Sequence, residues 1–118
     1  MAKALRGEYD ATLGGEKFVL RLAIGNLEEL EAAAGCGILE LANRFTGRMT
    51  ARLSDARLVI REGLRGGGHQ IGEQQLTAMI EDTGMDVFPI ASGLLLSCFV
   101  EPKKTGNAVA AKKAGASA

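Results

Sequence analysis

The chain is 118 residues long, room for one domain and too short for a two-domain enzyme. With 47% hydrophobic and 24% charged residues it has the composition of a soluble globular protein, able to bury a core without metal or disulfide staples. Fourteen basic residues balance fourteen acidic ones, which argues against a dedicated nucleic-acid binder or an anionic-membrane binder, whose footprints are net basic.

The start, Met1 to Arg6, is positively charged but lacks an apolar stretch of signal-peptide length behind it, so secretion is not expected. Residues 8 to 13 and 16 to 22 flank Gly14-Gly15, a pair that tolerates the positive φ angles of a tight hairpin. With Leu13 opposite Glu16, the pairing puts Tyr9, Ala11, Leu13, Phe18, Leu20 and Leu22 on one apolar face. Glu8, Asp10, Lys17 and Arg21 point the other way.

Short helices separated by glycine follow. Asn26 is placed to cap a helix with Glu29 at its third position and Leu27, Leu30 and Ala34 as its stripe, ending at Gly35. Ile38, Leu41, Ala42 and Phe45 stand at helical spacing before Gly47. Ser54 is placed to cap a third helix carrying Ala56, Val59, Ile60, Gly63 and Leu64, stopped by Gly66-Gly67-Gly68. Leu76, Met79 and Ile80 mark a fourth helix ending at Gly84. The strongest pattern is the last, Val87, Ile90, Ala91, Leu94, Leu95 and Cys98, with Asp86 and Pro89 suited to its first turn. Phe88, Leu96 and Phe99 widen that face beyond a simple stripe, so the helix is central to the core or meets a partner. From residue 101 onward Lys, Ala, Gly, Ser and Asn dominate. One α+β domain is therefore expected over residues 1–100, a hairpin packed on about five short helices, with a flexible Lys/Ala/Gly-rich tail over residues 101–118.

Charge is segregated along the chain. Residues 26–43 carry only acids and residues 73–101 likewise, whereas residues 44–65 hold six arginines against Asp55 and Glu62. Acidic and basic helices that lie side by side neutralise each other. Arg57, Arg61 and Arg65, spaced by four, line one helical edge that could instead meet an acidic partner.

No constellation for chemistry emerges. His69 is the only histidine, in a glycine-rich connector where an exposed turn residue is expected. The glycine run lacks the third glycine of a dinucleotide fingerprint and the Gly-Lys-Ser/Thr of a phosphate loop, and reads as a helix stop and mobile connector. Cys36 and Cys98 are too few and too distant for a zinc knuckle or a redox pair and read as buried thiols. No catalytic residue, cofactor or metal is expected. The apolar segment Val87 to Val100 is shorter than the ~20 residues of a membrane span, so a cytoplasmic protein without membrane or nucleic-acid partners is expected.

The order of the hairpin, Leu27-Glu28-Glu29-Leu30-Glu31, the stretch Leu58 to Gly68 and then Ile80-Glu81-Asp82-Thr83-Gly84 resembles a known family. It is similar to the small tail-assembly proteins of gene transfer agents and related alphaproteobacterial siphophages over roughly residues 7 to 97. The resemblance implies a gene between the major tail protein and the tape-measure protein. It also implies one of two roles, a tail assembly chaperone that coats apolar tape-measure helices or a structural tail component that self-assembles. A tube subunit is expected to supply a larger sandwich or barrel than one hairpin, which favours the chaperone. The expected partner surface is then the final helix, through Phe88, Leu95, Leu96 and Phe99, with Arg57, Arg61 and Arg65 at its rim. The expected partner is the tape-measure or another tail protein, or a second copy in a homo-oligomer, in the bacterial host cell or a phage-like particle.

Overall fold

The computed structural model describes residues 8–99, so the tail expected over residues 101–118 lies outside the described residues. The chain opens with an antiparallel hairpin of β1 (Glu8–Leu13) and β2 (Glu16–Arg21), whose register pairs Leu13 with Glu16, Ala11 with Phe18 and Tyr9 with Leu20, as the alternation predicts. Gly14 and Gly15 both take positive φ, 60° and 82°, the turn that matches the twist of two paired strands. Leu13 and Leu20 are fully buried, while Asp10, Thr12 and Lys17 of the opposite face are exposed.

Five α-helices follow: α1 (Ile24–Ala34), α2 (Ile38–Phe45), α3 (Leu53–Gly66), α4 (Glu73–Thr83) and α5 (Val87–Ser97), with a 3-10 turn Gly84–Asp86 before the last. The class is α+β, as expected. α3 is the hub, packing on α1, α5 and β2, while β1 lies against α4 and α5. Val59, Ile60, Leu64, Leu94 and Leu95 form the centre of the core, each at most 1% exposed.

Two helix starts differ from expectation. α1 begins after Ala23 and α3 after Arg52, neither of which has a side-chain cap bond. The third helical residue reaches back instead. Asn26 Oδ1 accepts the Ala23 N–H at 3.0 Å and Asp55 Oδ2 accepts the Arg52 N–H at 2.8 Å. Asn26 and Ser54 therefore lie inside their helices, and half of a capping box suffices to fix each start. α2 is started from outside: Glu31 of α1 accepts the Ile38 N–H at 2.8 Å, placing a carboxylate at the positive helix end.

The first two glycines of the run do more than stop α3. A Cβ on Gly66 would collide with the Arg21 carbonyl and one on Gly67 with the Val19 carbonyl, so the C-terminal end of α3 lies directly on the backbone of β2. His69 is half-buried rather than exposed, its Nε2–H donating to the Val19 carbonyl at 3.2 Å and its ring standing edge-on to Phe18. Gly93 of α5 plays the same close-packing role against the Tyr9 ring of β1. Cys36 and Cys98 are half-buried against the core rather than fully buried, and no disulfide joins them.

Candidate partner-binding surface

Of the four apolar residues expected to form a partner surface on α5, Leu95 is 1% exposed, because its helical position turns it inward beside Ala91 and Leu94. It supports the surface from beneath. Leu96 and Phe99 are 45% and 41% exposed, and Phe88 is half-buried. Phe88 and Leu96 flank the buried stripe of the helix on one side, and Phe99 follows just past its C-terminal end, so none of them interrupts the packing of α5 on α3.

Beside Phe88 a groove of about 290 Å³ opens between α5 and the α2–α3 connector, floored by Phe45 and Ala51 and walled by Met49, Pro89 and Ser92. The connector is fixed by backbone bonds that wrap the end of α2, from Arg48 N–H to Asn43 O at 2.8 Å and from Thr50 N–H to Arg44 O at 2.7 Å. It holds Met49 at φ 56°, a left-handed conformation uncommon for a side-chain-bearing residue, with the residue 75% exposed at the groove. A strained backbone that displays an apolar side chain to water is the kind of local cost that persists where a site uses it. A larger hollow of about 520 Å³ lies at the α3–α4 connector, but Ile71 is its one apolar lining residue, so it offers little to an apolar partner.

The charge at the groove comes from Arg44, which lines it, with Arg48 and Arg52 on the same connector. Arg44 and Arg52 converge on the fully buried Asp55 at 3.2 and 3.1 Å, and Arg48 pairs with Glu40 at 3.4 Å. Burial alone would push the Asp55 carboxyl up. The hydrogen bonds from the Arg52 side chain and backbone, with the charges of Arg52 and Arg44, outweigh it and hold the group below the usual carboxylate range. Arg52 is raised in turn, first by its hydrogen bond to Asp55 and then by that carboxylate's charge. Arg48 and Arg52 remain 60% and 64% exposed, within reach of a partner's carboxylates.

Arg57, Arg61 and Arg65 are not part of the groove lining. Arg57 ties α3 to α4, donating to Glu73 Oε1 and Thr77 Oγ1 at 2.8 Å each. That hydrogen bond is the leading cause of the lowered Glu73 pKa, supported by the charges of Arg57, Arg61 and Arg65. Arg61 and Arg65 both reach Glu62, which is 1% exposed and also accepts the Asn26 amide. Acidic and basic helices thus neutralise each other within the chain. Met49 and Ala51 are groove residues that the sequence reading did not name, and the signal available for them was two apolar residues in the otherwise polar stretch Thr46 to Arg52.

No group of three or more His, Cys, Asp or Glu able to hold a metal ion occurs among the described residues, and no helix among them is long and apolar enough to cross a membrane. In comparisons with known proteins, a family model described as "phage tail tube protein, GTA-gp10" matches residues 6–101. No similar curated protein and no similar solved structure was found.

Proposed function

The chain belongs to the GTA-gp10 phage tail tube protein family, and from that premise we propose that this phage tail protein acts as a tail assembly chaperone, holding apolar helices of the tape-measure protein until the tube closes around them. The observation that carries this reading is the groove beside α5: an apolar floor, a strained connector displaying Met49, the exposed Leu96 of α5 and the exposed Phe99 just past its end. A helix laid along α5 would seat one large side chain in the groove and cover Phe88, Leu96 and Phe99, leaving Arg48 and Arg52 to meet acidic residues at its edge. The reading assigns the protein no chemical step.

Co-expression with the tape-measure protein of the same gene neighbourhood tests it. The partner is expected to become soluble and to be captured with the chain, and Leu96→Ser with Phe99→Ser to abolish capture while the helical circular dichroism and melting temperature stay within a few degrees. A tape-measure protein that stays insoluble and uncaptured overturns the chaperone reading. The second reading, a structural component of the tube, draws on the family's own description. It requires rings or filaments of the purified protein in sedimentation. Against it stands the single two-stranded sheet among the described residues, which leaves little β-structure from which to close a barrel wall.

A further inference from the structure

The two edges of the hairpin are treated differently. On β2, the Val19 and Arg21 carbonyls point away from β1 and are covered, Val19 O by Gly67 and the His69 Nε2–H, Arg21 O by Gly66. In an antiparallel pair, residues directly opposite each other both face their backbone groups inward or both face them outward. The register sets Asp10 opposite Val19 and Thr12 opposite Lys17, so the N–H and C=O groups of Asp10 and Thr12 face outward from β1. No hydrogen bond to those groups occurs among the described residues, and both residues are exposed. Neither a proline nor a lysine stands in β1 to block pairing, the usual protection of an open edge.

We propose that this edge of β1 pairs antiparallel with β1 of a second copy, about a two-fold axis at Ala11, to give a four-stranded sheet across a dimer. Charge excludes one neighbouring register. An axis at Asp10 would place the carboxylate opposite itself, and like charges directly opposite are destabilising. An axis at Ala11 sets Asp10 opposite Thr12 of the second copy and Thr12 opposite its Asp10, two hydrogen-bonded pairs with about four backbone bonds in all. The small Ala11 meets itself on the inner face, with Leu13 opposite Tyr9 of the second copy at the ends. A pairing this short sits at the low end of interface size, so the dimer is weak and exchanges readily. It is closed, because a two-fold contact uses the same edge on both copies and leaves none for a third. The covered edge of β2 cannot extend it. The proposal is independent of the chaperone reading.

The test is sedimentation equilibrium of the full chain over a wide concentration range, with amide hydrogen exchange at low and high concentration. A reversible monomer–dimer equilibrium is expected, with protection of the Asp10 and Thr12 amides rising with concentration. Thr12→Pro removes an outward donor that the hairpin itself does not use, and is expected to stay monomeric with an unchanged circular dichroism spectrum. A strictly monomeric full chain, a dimer that Thr12→Pro leaves intact, or concentration-dependent protection confined to other residues overturns the proposal. Should Thr12→Pro fail to fold, the exchange experiment on the unaltered chain decides alone. A monomer that still captures the tape-measure protein removes the dimer and leaves the chaperone standing.

Discussion

Asp55 and Glu62 are the buried charges of the described chain, and each is held by two arginines. Asp55 has the larger consequence for stability, because it also fixes the start of α3 through the Arg52 N–H. Its folded pKa lies below the unfolded value, so its contribution is present above the unfolded pKa and is lost as pH falls through the folded one. Urea midpoints are therefore expected to fall as pH drops below about 4, and Asp55→Asn to flatten that dependence. At neutral pH the same variant should be less stable by about 2 kcal/mol, less than a fully enclosed pair would lose because Arg52 is largely solvated. None of this was legible in the sequence, where Asp55 is one acid among six arginines. That an acidic residue at the third helical position binds back to a residue with no cap of its own depends on backbone angles that composition does not report. The positive φ of Met49 was hidden for the same reason.

At the level of elements, the hairpin was the most legible part, because a period of two and a Gly-Gly turn leave one register that gathers the apolar residues on one face. Helix ends marked by glycine were also read well, as at Gly35 and Gly84, which take positive φ. What the sequence could not show is that a glycine run can be required by a neighbour rather than by its own turn. The α3–β2 contact rests on Gly66 and Gly67 having no Cβ. Gly66→Ala, which would ordinarily favour a helix, is instead expected to destabilise the protein by about 2 kcal/mol as α3 is pushed from β2, read as a lowered urea midpoint with an unchanged slope. The candidate surface was half legible. Phe88, Leu96 and Phe99 stood out as apolar residues beyond the core stripe, whereas the groove beside them is made by a connector 37 or more residues before Phe88 in the chain, outside any local pattern.

For the whole molecule, the stabilising contacts run between the two ends of the chain. β1 is covered by α4 and α5, and the Gly14 N–H is held by the Thr83 hydroxyl at 2.9 Å, sixty-nine residues away. A chain ending at Asp86 would lose Val87, Ala91, Leu94 and Leu95, all at most 1% exposed. At about 1.5–3 kcal/mol for each large side chain, that removes most of the 5–15 kcal/mol margin of an ordinary domain. Such a fragment is expected to show no cooperative thermal transition by circular dichroism. The same closure has a meaning for the order of synthesis. The hairpin is translated before α5, the helix that shields its apolar face, so the core of the described residues closes only once α5 has been made. A nascent chain stalled before α5 therefore lacks both the cover of the hairpin and the groove wall that α5 supplies.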